Sequence, residues 1–133
     1  MNIGAASDAS GVSQRMIRHY EKIGLVPPPR RRGTYREYCP ADVHRLRFIA
    51  NARDLGFPIE QIRSLLDLWS NPKRSSADVK ALAEARAVEL GCKIYALEAM
   101  RRSLTTLAQD CHGNDRPDCP IIERLSTDPI NYS

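Results

Sequence analysis

Aromatic side chains are scarce in this sequence of 133 residues, at 6%. A site lined with aromatic faces for sugars or lipids is therefore not expected. No run approaches the ~20 consecutive apolar residues that a membrane-spanning helix needs. The amino terminus has no apolar signal core, since Asp8 and Arg15 interrupt it. A cytoplasmic location, where thiols stay reduced, is the expectation. Histidine is sparse too, with His19, His44 and His112 scattered, and no acid, base and nucleophile stand together. An enzyme is not expected.

What is present is charge, unevenly placed. Residues 1–75 carry 13 Lys/Arg against 7 Asp/Glu, whereas residues 76–133 carry 7 against 9. A basic half of this kind suits a polyanion, because affinity for nucleic acid grows with the phosphates neutralised.

Helix signals dominate the chain. Ile3–Ser10 reads as a short helix ended by Gly11, and Ser13 caps a second from Gln14 to about Ile23. Helix, tight glycine turn, helix is the layout of a helix-turn-helix. Gln14, Arg15, Arg18, His19 and Lys22 cover much of the second helix, with Met16, Ile17 and Tyr20 on an apolar side. Pro27-Pro28-Pro29 breaks the pattern, and the arginines at 30–32 then lead into Gly33 and Tyr35-Arg36-Glu37-Tyr38, a small two-stranded wing with basic flanks. A third helix opens at Asp42 and runs to Gly56, and a fourth runs from Phe57-Pro58 to Trp69.

The segment from Ser76 to about Ala108 has no proline. Ala83, Ala87, Leu90, Ile94, Leu97, Arg101, Leu104 and Ala108 recur in a heptad pattern. A helix of ~1.5 Å per residue over this span cannot bury its stripe on so small a domain. A second copy is the simplest partner, which gives a dimerisation helix; packing back on the third and fourth helices is the alternative. The fold class is then mainly α: a winged helix-turn-helix domain over 1–75, a long antiparallel coiled-coil dimerisation helix over 76–108, and a loop with a short helix from Pro120 over 109–133.

The residues Met16 to Val26, the wing Tyr35-Arg36-Glu37-Tyr38 and Arg53-Asp54-Leu55-Gly56-Phe57 together resemble the MerR family of transcription regulators. Cys111 and Cys119 followed by Pro120-Ile121-Ile122, with Ser75-Ser76-Ala77-Asp78-Val79-Lys80, resemble its copper-efflux-regulator branch. Thr34, between Gly33 and Tyr35 at the wing tip, departs from the family pattern, and no Cys or His follows Leu125. The resemblance implies a homodimer on double-stranded promoter DNA that stays bound with and without metal. It also implies that the metal-bound form distorts the promoter for RNA polymerase; the lack of a long apolar run, noted above, gives no expectation of a membrane partner.

The residues give chemistry to these expectations. Two thiols in a polar loop, Cys111 and Cys119, suit a soft monovalent ion such as Cu(I), Ag(I) or Au(I), whereas zinc normally takes four ligands. His112 and Asp118 are the local candidates for any further donor. Ser76 bears on metal selectivity: the resemblance implies a cysteine here in branches that answer zinc, lead or mercury, and a hydroxyl is a poor soft ligand. Ser76 also reads as the cap of the long helix. Cys39 and Cys92 are not expected to be ligands. For DNA, Gln14, Arg15 and Arg18 face a groove, and Arg31, Tyr35, Arg36 and Tyr38 hold the wing on the backbone. Arg53 fits a phosphate or a surface ion pair, and Tyr20 a phosphate or the core. Closure of Cys111 and Cys119 into a disulfide under oxidation is a second reading, and a constitutive DNA binder a third.

Overall fold

The structure is a computed structural model that describes residues 1–33 and 35–127, and of Arg32 the backbone alone. Thr34 at the wing tip and the end of the expected carboxy-terminal segment, residues 128–133, therefore lie outside the described residues. The chain divides into two compact units, Met1–Arg86 and Ala87–Ser133.

In the first unit, α1 (Ile3–Ser10) and α2 (Gln14–Lys22) meet at Gly11, whose φ of 76° is the left-handed conformation that glycine adopts without strain. Ser13 caps α2 through its hydroxyl, which accepts from the Met16 amide at 3.2 Å. β1 (Arg30–Arg32) and β2 (Tyr35–Glu37) pair antiparallel with Arg31 opposite Arg36. α3 (Pro40–Asp54) and α4 (Ile59–Ser70) complete the fold. Ile17, Tyr20, Leu25, Leu46, Ile49, Ile62 and Leu66 form the fully buried centre, so α2 is packed by its apolar side while its basic side stays outside.

Two helix starts differ from the sequence reading. α3 begins at Pro40, with Cys39 as its cap and Asp42 in its first turn: the Asp42 carboxylate accepts from the Cys39 amide at 2.9 Å and from its thiol at 3.2 Å. A proline fits the first turn, because no intrahelical partner awaits its missing N–H. α5 (Ser76–Asp110) is capped by Ser75 and not Ser76, with the Ala77 amide donating to the Ser75 hydroxyl at 3.2 Å. Ser76 is instead the first residue of the helix, and it is exposed.

Three arginines of the basic half donate to backbone carbonyls. Arg45 donates to the Leu25 carbonyl, Arg47 to the Ala9 carbonyl, and Arg63 to the carbonyls of Ile23 and Gly24. Each carbonyl lies at or just beyond the end of α1 or α2, where unpaired oxygens and the negative end of the helix dipole favour a cation.

In the second unit α5 continues to Asp110, and α6 (Pro120–Ser126) follows the loop. The stripe read from the sequence is open to solvent in the single chain: Ile94 is 67% exposed, Leu97 62% and Leu104 60%.

Candidate metal centre and nucleic-acid interface

The loop between α5 and α6 brings Cys111 and Cys119 together. Their sulfurs lie 3.6 Å apart, and both residues are half-buried. Local chemistry makes the turn. Gly113 takes a φ of 63°, and the Asn114 side chain accepts from the Arg116 amide at 2.9 Å, an Asx turn. The spacing is van der Waals contact, well beyond the ~2.04 Å of a disulfide. Two sulfurs this close would be able to hold one soft metal ion between them and would supply it with thiolate donors.

Cys119 is also the N-cap of α6. The backbone amide of Ile122, the Cys111 thiol and the amide of Ile121 hold its thiol below the usual value, outweighing its partial burial and the nearby Glu123 carboxylate. These amides at the start of α6 stabilise negative charge on sulfur, as the positive end of a helix does. Among the described residues no group of three or more His, Cys, Asp or Glu comes together. His112 and Asp118 thus do not join the pair in a larger cluster. Cys39 and Cys92 are exposed elsewhere.

The expected DNA-contacting residues fall into two sets. Gln14, Arg15 and Arg18 are exposed on α2, and Arg31 and Tyr35 are exposed on the wing, Tyr35 at 76%. Tyr20 and Tyr38 are turned inward, at 1% and 4% exposed. Of the two readings of Tyr20, the ring takes the core, and its hydroxyl accepts from exposed Arg53 at 3.2 Å. Arg53 therefore meets a phenol and not a neighbouring acid, and the rest of its fork faces solvent.

Glu21 is the residue that the sequence reading missed. From α2 it accepts from the Tyr38 hydroxyl at 2.6 Å and from Arg36 at 2.7 Å, with its side chain only 8% exposed. The carboxylate thus ties the wing to the second helix. Burial and the hydrogen bond to Glu21 push the Tyr38 phenol up to about 12, outweighing the nearby Arg36 charge. A single Glu on a basic helix was the available signal, but its partners are 15 and 17 residues away.

Residues 1–69 match the family described as MerR HTH family regulatory protein, and residues 43–107 match the one described as MerR, DNA binding. The chain belongs to the MerR family of transcription regulators. This MerR-family chain is a DNA-binding regulator and not an enzyme. It is 56% identical over 127 residues to the heavy metal-dependent transcription regulator 2 of Rhizobium meliloti (strain 1021), covering 95% of this chain and 86% of that protein. It is 40% identical over 127 residues to the HTH-type transcriptional regulator CueR of Escherichia coli O157:H7, covering 95% and 94%. Among solved structures it is similar to the transcription regulator PbrR691 from Ralstonia metallidurans CH34 in complex with lead(II), with a TM-score of 0.82 and 30% identity over 95% of this chain and 99% of that one. The expected mainly helical MerR architecture, winged helix-turn-helix followed by a long helix, is the one observed. Among the described residues no helix is long and apolar enough to cross a membrane.

Proposed function

We propose that this MerR-family regulator answers a soft monovalent ion, Cu(I) foremost, held by Cys111 and Cys119 alone, and that it activates genes for metal efflux or detoxification. The observation that carries this reading is the pair of thiols 3.6 Å apart in a polar loop. Two thiolates supply soft donors and two negative charges, which suit a linear monovalent ion and leave a divalent one short of ligands. Bound Cu(I) supplies a soft acceptor that both sulfurs share, leaving the site with one net negative charge. The amides of Ile121 and Ile122 face that charge from within the same chain. Ser76, exposed at the start of α5, adds no soft donor.

The chain acts as a homodimer through the α5 stripe. Gln14, Arg15 and Arg18 enter the groove of promoter DNA, and Arg31, Tyr35 and Arg53 hold phosphates. Arg36 and Tyr38 set the wing through Glu21. Metal binding distorts the promoter so that RNA polymerase can use it, and the protein works in the cytoplasm. The relatives named for heavy metals and for CueR support metal responsiveness, while the PbrR691 complex with lead(II) shows that a related fold also takes a divalent ion.

Metal titration of the reduced protein with X-ray absorption tests the site. One Cu(I) per chain with two sulfur neighbours is expected, and a third or fourth ligand overturns the reading. In a reporter strain Cu(I) or Ag(I) induces and Zn(II) does not. Cys111→Ser or Cys119→Ser loses induction and keeps operator binding, and Ser76→Cys gains some divalent response. An inducible Cys111→Ser protein overturns the assignment.

A thiol-redox sensor is the second reading. It is favoured by the lowered Cys119 thiol beside Cys111, since thiolate character sets reactivity toward oxidants. Induction by peroxide in place of metal selects it.

A further inference from the structure

Arg86 is the only buried residue of α5 among those described, at 6% exposed. A buried guanidinium is costly unless its surroundings stabilise the charge. Here it lies on the turn that ends α3. Its Nε donates to the Leu55 carbonyl at 3.2 Å. The guanidinium also covers Gly56, where a Cβ would collide with it, and Gly56 holds a φ of 80°. The turn closes on itself through the Gly56 amide to the Arg53 carbonyl at 2.8 Å and the Phe57 amide to the Ala52 carbonyl at 3.1 Å. Arg86 thus caps the negative end of α3 from another helix.

The same turn sits two residues from Arg53, which reaches into α2 by donating to the Tyr20 hydroxyl at 3.2 Å. Tyr20 is fully buried, and its own carbonyl accepts from the amides of Leu25 and Val26. Contacts therefore run without a break from α5 through the Leu55–Gly56 turn and Arg53 to the second helix of the helix-turn-helix. α5 is one uninterrupted helix up to Asp110, next to Cys111.

We propose that Arg86 is the positioning residue that couples the long helix to the DNA-reading helix, by holding the Leu55–Gly56 turn and with it Arg53 and Tyr20. Its part in induction rests on the metal-responsive reading above; its part in the coupling itself does not. A shift or turn of α5 moves the guanidinium, and the close fit over Gly56 carries the motion to the end of α3. Lysine in its place keeps the charge but has no planar fork to cover the turn.

The experiment compares the full-length wild type, Arg86→Ala and Arg86→Lys. Hydrogen exchange of the metal-free protein comes first. In Arg86→Ala the amides of Leu55, Gly56 and Phe57 exchange roughly tenfold faster and those of Leu25 and Val26 are also accelerated, while the amides of α1 stay protected. Acceleration confined to the turn makes Arg86 a local staple and overturns the proposal, and so does a uniform loss of protection in both variants. Arg86→Lys, which retains the charge, folds and shows the same pattern to a smaller degree, so the reading survives a poorly folding alanine variant. Reporter induction with Cu(I) and Ag(I) comes second. Arg86→Ala binds metal like the wild type, but its induction ratio falls roughly tenfold at operator-saturating protein concentration. Full induction by a folded Arg86→Ala protein overturns the proposal. If the wild type answers neither ion, the metal reading fails, and the exchange pattern alone then upholds or overturns the coupling.

Discussion

Glu21 shows how one side chain sets the character of its neighbours. Its carboxylate takes both Arg36 and Tyr38, so these two residues fix the wing on the second helix. Removing the carboxylate would leave a buried phenol without its acceptor, a loss of about 1–3 kcal/mol. The Tyr38 phenol gives the sharper test. Its pKa is raised from 10.0 to about 12 on folding, so the neutral form is the one the fold prefers. The stability it contributes is complete below pH 10 and is lost as the pH rises from 10 toward 12. Urea unfolding midpoints measured across that window should fall for the wild type and fall less for Tyr38→Phe. Equal slopes for the two proteins would show that the Tyr38 phenol is not the group responsible. At this scale Cys119 has the opposite shift, since amides and a second thiol surround the sulfur and favour its charge.

Among the elements, α5 carries the clearest imbalance. A helix of 35 residues leaves Ile94, Leu97 and Leu104 each more than half exposed in the single chain, an apolar surface that a soluble protomer does not keep open over such a length. An ion pair joins Lys80 and Glu84, and another joins Arg101, the one charged position of the stripe, to Glu98. Exposed pairs one turn apart contribute only tenths of a kcal/mol, so the stripe and not the pairs decides association. Leu97→Asp places a charge within the proposed dimer seam and should cost several kcal/mol of association. Sedimentation at micromolar concentration is expected to show monomer, and an unchanged dimer would place the interface elsewhere. The wing is the smallest element, three residues on each strand, and the Glu21 tie to Arg36 and Tyr38 adds to its own ladder.

For the molecule as a whole, the question is how much of the basic half remains for DNA. Arg45, Arg47 and Arg63 serve carbonyls at helix ends, and Arg36 serves Glu21. Exposed cations remain on α2 at Arg15, Arg18 and Lys22, on the wing at Arg30 and Arg31, at Arg53 near the end of α3, and at Lys73 and Arg74. The salt dependence of operator binding should therefore be shallower than the 13 Lys/Arg of residues 1–75 would give. Arg18→Ala should relax sequence discrimination by about 1–3 kcal/mol if its fork meets a base edge. Arg31→Ala should weaken all sequences alike and reduce the salt slope by about one phosphate. Competition binding against operator and random DNA at several salt concentrations measures both. Equal losses on the two DNAs in both variants would refute the division of labour between helix and wing.

Much of this was local and therefore legible. Gly11 and Ser13 mark the turn of the helix-turn-helix because a left-handed φ and a capping hydroxyl are properties of single residues. The α5 stripe is legible for the same reason, since a helix has one period. Cys111 and Cys119 are close in sequence, and Gly113 and Asn114 between them bend the chain that joins their sulfurs. Pairing over distance was not legible. Sequence shows that Arg36, Arg53 and Arg86 are charged, but only the packed fold gives them Glu21, Tyr20 and the Leu55 carbonyl as partners. The burial of Tyr20 and Tyr38 belongs here too, because a ring with one polar atom suits core and surface alike until its neighbours are in place. The cap of α5 fell to Ser75 instead of Ser76: two adjacent serines have the same propensity, and in the folded chain it is the Ser75 hydroxyl that meets the Ala77 amide. Composition, turns and periodicity fixed the elements and the paired thiols by short-range physics, while the tertiary structure decided which charge meets which partner, because that depends on distances no local pattern encodes.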